Sequence, residues 1–315
     1  MRDLRIVFMG TPDFAVASLK SIIEANYHVV GVITAPDRPA GRGRKLQESP
    51  VKQYARDKGL PVLQPTNLKN PEFLKELEAL TPNVQVVVAF RMLPKVVWDL
   101  PKYGTFNLHA SLLPQYRGAA PINWAIINDE KKTGVSTFFL DEKIDTGAMI
   151  LQDEVEIKPT QTVGELHDRL MERGATLVTE TLQLIAKGNL TPTPQPANNQ
   201  LKGAPKLDRE NTKINWEQSL DQVYNLIRGL NPYPAAWSFL INNKKEVKVK
   251  IFHCSKETNT HNLDFGSIKV EDKKLKVAAK GGFLIIEEMQ LPGKTKMEVK
   301  SLLNGYHFSE DAKLR

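Results

Sequence analysis

Residues 106–118 read Phe106-Asn107-Leu108-His109-Ala110-Ser111-Leu112-Leu113-Pro114-Gln115-Tyr116-Arg117-Gly118, and residues 141–147 read Asp141-Glu142-Lys143-Ile144-Asp145-Thr146-Gly147. The first stretch follows a turn at 102–104 and begins as an apolar run. As a strand it sends alternate side chains to one face, so the Asn107 amide and the His109 imidazole share one space. Ser111-Leu-Leu-Pro114 ends the strand, and Asp145 offers a carboxylate to orient or charge the imidazole. An amide, an imidazole and a carboxylate fit acyl transfer, with the amide and the imidazolium holding a developing oxyanion. No serine or cysteine is needed where the substrate's own amine is the nucleophile. A plain structural reading stands beside this one: an asparagine bonding a strand end, a satisfied buried histidine and a turn aspartate.

Working outward, Arg5–Met9 is a short apolar run ending in Gly10-Thr11-Pro12, and Asp13–Ala25 repeats apolar residues at helical spacing. His28–Thr34 is a second strand. This strand–helix–strand unit predicts an α/β, Rossmann-like and mostly parallel sheet with right-handed crossovers. Val84–Phe90 is almost continuously apolar and β-branched, as a strand covered on both faces should be. Helices are expected over Pro50–Lys58, Pro71–Leu80, Gly118–Asn128 (behind the Asn107 strand) and from Thr162-Val-Gly-Glu165, a capping-box signature, to about Lys187. The Gly10 turn lacks the three glycines of a dinucleotide fingerprint, and no acidic residue closes the second strand, which argues against NAD. Ligands of open α/β sheets bind beyond the carboxyl ends of the strands, so the loops after Phe90 and after Ser111 are expected to share one crevice.

The chain has 315 residues, enough for two domains. Hydrophobic content of 41% and charged content of 25% describe an ordinary globular protein. Charges at Arg2, Asp3 and Arg5 stand where a secretory signal needs apolar residues, and no run approaches the ~18 apolar residues of a membrane span, so a cytoplasmic protein with no membrane contact is expected. One cysteine, Cys254, excludes an internal disulfide, and the six histidines show no metal-ligand spacing.

Net charge is +7, with 19 Lys+Arg against 14 Asp+Glu in residues 206–315 and 24 against 22 in the rest. A mildly basic tail is either a solvated surface or an RNA-binding one. The loop 35–49 is too long and polar for an ordinary βα connection. It carries Arg38, Arg42, Arg44 and Lys45 against Asp37 and Glu48, and reads either as a solvated loop or as an arm that follows RNA phosphates and bases. Residues 190–206, rich in proline and polar side chains, read as an extended linker between domains at 1–189 and 207–315. Beyond it come an amphipathic helix ending near Gly229, five short alternating runs and a closing helix at 299–303, which suggest a small C-terminal β-barrel.

The 107–122 segment, Asn107-Leu-His109-Ala-Ser-Leu-Leu-Pro-Gln-Tyr-Arg-Gly118-Ala-Ala-Pro121-Ile, together with Asp145-Thr-Gly147, resembles the signature of folate-dependent formyltransferases. Gly10-Thr-Pro-Asp-Phe-Ala15 and Ala35-Pro-Asp-Arg-Pro-Ala-Gly-Arg-Gly-Arg-Lys-Leu46 narrow the resemblance to the methionyl-tRNA formyltransferase family. Ala204-Pro-Lys-Leu207, Ile214-Asn-Trp216 and Arg228-Gly-Leu-Asn-Pro-Tyr-Pro234 carry it over nearly the whole chain.

The resemblance implies transfer of the formyl group of 10-formyltetrahydrofolate to the α-amino group of methionine on initiator Met-tRNA, without a metal and by a cytoplasmic monomer. It implies Asn107, His109 and Asp145 as catalytic residues, and Phe90, Arg91, Met92, Ser111, Leu112, Leu113 and Pro114 around the folate. Arg38, Arg42, Arg44 and Lys45 would enter the tRNA acceptor arm, and an OB-like C-terminal barrel would assist. Arg91 stands where the family pattern leads one to expect glycine, in a segment one residue short. A formyltransferase of small amines would share the catalytic strand without needing the basic arm or the barrel. A formate-releasing hydrolase would use the same groups on water, and a purely RNA-binding protein would need none of the three.

Overall fold

The computed structural model describes residues 1–40, 45–196 and 200–315. The chain divides into two compact units, one of residues 1–118, 133–156 and 167–203 and another of residues 119–132, 157–166 and 204–315.

The first unit is built on a seven-stranded sheet. Its elements begin with β1 (Arg5–Gly10), α1 (Asp13–Glu24) and β2 (His28–Ile33), followed by a hairpin of β3 (Arg38–Ala40) and β4 (Lys45–Gln47). Then come α2 (Pro50–Asp57), β5 (Val62–Leu63), α3 (Pro71–Ala79), β6 (Val84–Val88), α4 (Lys95–Trp98), β7 (Thr105–His109) and β8 (Arg117–Gly118). After α5 (Pro121–Ile127) follow β9 (Lys132–Phe139), β10 (Met149–Glu156), the long helix α6 (Val163–Lys187) and β11 (Gly203–Ala204). The strand order is β10-β9-β7-β6-β1-β2-β5. β1, β2, β5, β6 and β7 are parallel, and β9 runs antiparallel to β7, as expected for a Rossmann-like sheet.

Sequence explains these elements directly. All five residues of β6 and five of the six of β1 are buried, which continuous apolar runs allow only in a doubly covered strand. The helices α2 and α3 each carry proline at the start, and the Ser49 and Asn70 side chains accept from the Lys52 and Glu72 backbone N–H groups. The expected capping box closes at α6: Thr162 N–H donates to Glu165 Oε2 at 2.8 Å, and Glu165 N–H to Thr162 Oγ1 at 3.4 Å. In the middle of α6, a Cβ on Gly174 would lie 2.7 Å from Leu108 Cδ2, so the helix backbone lies close to that side chain.

Two stretches differ from the sequence reading. The 35–49 stretch is not a plain loop, since its ends pair as β3 and β4, with Arg38 opposite Gln47 and Ala40 opposite Lys45. The 190–206 linker is not a free tether either. Thr193 and Met149 exchange backbone hydrogen bonds at 2.8 and 2.9 Å, and Tyr116 N–H bonds the Lys202 carbonyl at 2.7 Å.

The second unit holds α5 and α7 (Leu220–Leu230) and the strands β12 (Ala236–Asn242), β13 (Lys245–Thr258), β14 (Ile268–Glu271), β15 (Lys274–Ala279) and β16 (Gly282–Gln290). It ends with β17 (Met297–Glu298), α8 (Val299–Leu302) and β18 (Lys313–Leu314). The strands form an antiparallel half-barrel sheet in the order β14-β15-β16-β13-β12-β18, with β17 on β16. A bridge from Lys313 to Ser267 returns the last strand to the residues before β14. The core comprises Leu220, Val223, Ile227, Leu240, Val249, Leu275 and Leu284 among others, one stripe of α7 against one face of the sheet. α7 starts with a second capping box, Ser219 with Gln222. α5 packs on α7, where Asn123 Nδ2 donates to the Gly229 carbonyl at 2.8 Å.

Phe106→Ala removes a fully buried ring from β7 and is expected to cost about 3–5 kcal/mol of stability. Ser219→Ala breaks the α7 cap and should cost about 1 kcal/mol. Urea unfolding of the full chain checks both, with Phe106→Ala showing the larger loss.

Candidate active site

β1 lies between β2 and β6, so the chain leaves it on one side and returns on the other. Such a switch point opens a crevice at the carboxyl ends of the strands. The register sets Gly10 beside Val88 and Val88 beside Leu108. The turns after β1, β6 and β7 therefore emerge together, bringing Phe90-Arg91-Met92 and Ser111–Pro114 to one end of the sheet.

Leu108 faces α6 through Gly174, so by alternation Asn107 and His109 project to the other face of β7. His109 is buried and Asn107 half-buried. The His109 Nε2–H donates to the Tyr116 carbonyl at 2.8 Å. Its Nδ1 stands 3.8 Å from Asp145 Oδ2, within ion-pair range and too long for a hydrogen bond. Asp145 Oδ2 in turn accepts from the Gly118 N–H at 3.0 Å. Neither the Asp145 Oδ1 nor the Asn107 carboxamide is engaged by any described residue.

The turn that carries Asp145 is built to hold it. Asp145 has a left-handed backbone (φ 55°), a conformation aspartate tolerates better than most residues. Asp141 Oδ1 accepts from Lys143 N–H at 3.0 Å and from Thr146 Oγ1 at 2.7 Å, closing the turn on itself. Gly147 is the one residue type that fits its position, because a Cβ there would lie 1.7 Å from the Phe139 carbonyl oxygen. From the segment after α6, the Gln195 side-chain amide donates to the Asp145 and Gly147 carbonyls, both at 2.9 Å, and Arg117 donates to Gln195 Oε1 at 2.6 and 3.2 Å. Gln195 was not among the residues singled out from sequence. The signal was slight: one long amide among the prolines 192, 194 and 196, which fix an extended path.

Ser111–Pro114 is locked by its own contacts. Ser136 Oγ donates to the Ser111 carbonyl at 2.6 Å, Gln152 Nε2 donates to the Leu113 carbonyl at 2.8 Å, and Ser111 Oγ donates to the Gln115 carbonyl at 2.7 Å. Ser111 and Leu113 are buried in this frame, whereas Leu112 and Pro114 are half-buried. Across the crevice Phe90 is half-buried and Met92 is 68% exposed. Arg91, in place of the expected glycine, turns away to donate to the Pro65 and Thr66 carbonyls, and Ala89 takes the left-handed φ of 47° at the strand end. Burial first, and then the charge of Arg38, holds the Arg91 guanidinium below its ordinary pKa.

Arg38 is exposed at the base of the hairpin; of Lys45 only the backbone is described, and Arg42 and Arg44 lie outside the described residues. The base is anchored by Asp37, which accepts from Lys52 and from Gln64 Nε2 at 2.8 Å, while Gln64 also donates to the Ala35 carbonyl at 2.9 Å. The Lys52 bond, then the Gln64 bond, holds the Asp37 carboxyl below the usual carboxylate range. Among the described residues there is no metal-ligand cluster and no helix long and apolar enough to cross a membrane. A groove of about 520 Å³ on the half-barrel is lined by His253, Ser255, Lys274, Glu287 and Lys300 among others. It mixes charges of both signs.

Comparison with known proteins places the chain in a family. Residues 4–182 match the formyl transferase family model, and residues 206–307 match that of the formyl transferase C-terminal domain. A curated methionyl-tRNA formyltransferase of Flavobacterium johnsoniae is 57% identical over 314 residues, covering 100% of both chains. One from Bacteroides fragilis is 52% identical over 318 residues, covering 99% of this chain and 98% of the relative. Among solved structures, a Helicobacter canadensis N-formyltransferase in complex with folinic acid and dTDP-3-aminofucose aligns with a TM-score of 0.64 at 22% identity, covering 90% of this chain and 98% of that one. HypX from Aquifex aeolicus in complex with tetrahydrofolic acid aligns with a TM-score of 0.64 at 19% identity, over 96% of this chain and 47% of that longer one. These two likenesses concern the fold. With full-length identity above half and both family models matched in order, the chain belongs to the methionyl-tRNA formyltransferase family.

Proposed function

We propose that the crevice beyond β1, β6 and β7 moves the formyl group of 10-formyltetrahydrofolate onto the α-amino group of methionine carried by initiator tRNA. The observation that carries this reading is the Asn107 carboxamide, without a partner among the described residues, on the same strand face as an imidazole–carboxylate pair at the switch end of the sheet.

The free amine is the nucleophile. An α-amino group near pKa ~8 is partly neutral at neutral pH, and esterification of the neighbouring carboxyl lowers it further. The amine nitrogen bonds to the formyl carbon, the carbon–N10 bond breaks, the amine gives up a proton and N10 gains one. Asn107 Nδ2–H is the donor free to meet the oxyanion. His109 has its Nε2–H on the Tyr116 carbonyl and its Nδ1 towards Asp145, so its part is that of a fixed, oriented imidazole beside the reacting carbonyl. Asp145 Oδ1 is free to take the amine proton, while Oδ2 stays fixed by the Gly118 N–H.

Phe90, Met92, Leu112 and Pro114 offer the folate apolar side chains at the crevice, and the buried Ser111 and Leu113 fix the loop that presents them. Arg38, Arg42, Arg44 and Lys45 are the basic residues of the arm that meets the acceptor end of the tRNA, with the half-barrel unit assisting. The division at 190–206 would then separate a catalytic domain from a tRNA-assisting one. Aminoacylated tRNA as substrate supports a cytoplasmic location.

Purified protein given 10-formyltetrahydrofolate with initiator Met-tRNA, elongator Met-tRNA or free methionine tests the reading, with formyl-methionine followed by mass. Turnover should prefer the initiator and weaken as salt rises, because phosphate contacts release counterions. Formate release without an acceptor would instead identify a hydrolase. Asn107→Ala should lower kcat by about 10²–10³-fold with unchanged melting temperature. Loss of Asn107 and His109 together should be less than additive, and an Asn107→Ala enzyme with full kcat overturns the oxyanion role.

A further inference from the structure

Between Thr191 and Pro196, Gln195 is half-buried while its neighbours are exposed. Its amide is used to capacity: both N–H groups reach the carbonyls of Asp145 and Gly147, and the carbonyl oxygen takes two bonds from Arg117. One carbonyl is that of Asp145 itself, whose carboxylate lies beside His109 and whose backbone is left-handed, and the other lies two residues further along the same turn. Arg117 precedes Gly118, whose N–H holds Asp145 Oδ2. One side chain thus ties the backbone of the carboxylate turn to the segment that fixes the carboxylate itself.

We propose that Gln195 is a positioning residue for formyl transfer, setting the place of the Asp145 carboxylate against the imidazole and the incoming amine. The inference rests on the proton-acceptor reading of Asp145 given above. Only an uncharged amide fits the position. A carboxylate would keep Arg117 but present negative oxygen to two carbonyls, and an apolar side chain of equal length would keep the volume and lose all four bonds.

Gln195→Glu and Gln195→Met separate position from folding. Both are expected to lower kcat by about 10–100-fold, the scale of a misplacement near 1 Å. KM for both substrates should stay within about twofold. The melting temperature of Gln195→Glu, which retains the Arg117 pair, should fall less than that of Gln195→Met, which loses all four bonds. The deciding measurement is a cycle with Asp145→Asn, because a residue that acts through Asp145 costs nothing further once that carboxylate is gone. A Gln195→Glu change that multiplies its full loss onto Asp145→Asn, or leaves kcat untouched beside a crippled Asp145→Asn enzyme, overturns this inference alone. An Asp145→Asn enzyme with full kcat overturns the proton-acceptor reading and this inference with it.

Discussion

Leu108 set against the bare backbone of Gly174 is the contact on which the site depends. It commits the even-numbered side chains of β7 to the α6 face and leaves Asn107 and His109 on the other. A slip of one residue would bury both polar groups under the helix and turn Leu108 into the crevice. Parallel pairing with β6 fixes the other coordinate, since it sets how far along the sheet the amide emerges relative to Gly10 and Val88. The placement of the polar groups follows from hydrophobic packing on the reverse side of the strand.

The second half of the site is held by polar contacts. Asp145 sits in a backbone conformation that an L-residue enters at a cost, and the surroundings offset it: a turn closed by Asp141, a glycine where no Cβ fits, and an amide spanning two carbonyls. Ser136 does similar work for the preceding loop, donating to Ser111 while accepting from Leu113 and Gln152. Polar side chains spent on backbone hold the crevice walls in place, and the Asn107 amide has no partner among the described residues.

What could be read from sequence followed from how local the cause was. β1, β6 and the capping box at Thr162 are written in runs of a few residues, and the structure has them where periodicity and capping spacing put them. The pairing of β3 with β4 was hidden because the proline at position 39 and the glycine- and arginine-rich sequence after it give no alternating pattern. Gln195 was hidden for a different reason: its partners lie some fifty to eighty residues away in sequence, and nothing in a proline-rich stretch says what it touches. His109 and Asp145 were legible as residue types, but the use of Nε2 by the Tyr116 carbonyl depends on the left-handed φ of 60° at Tyr116.

The 141–147 turn has an exposed tip and a fixed base: Glu142, Lys143 and Ile144 face solvent, whereas Asp145 to Gly147 are pinned. Variation is thereby partitioned. Side chains at the tip can be exchanged without moving the carboxylate, while any side chain at 147 collides with the β9 backbone. Re-engineering of what this rim touches therefore has three positions open to it, and the Asp145 carboxylate stays insulated from the exchange.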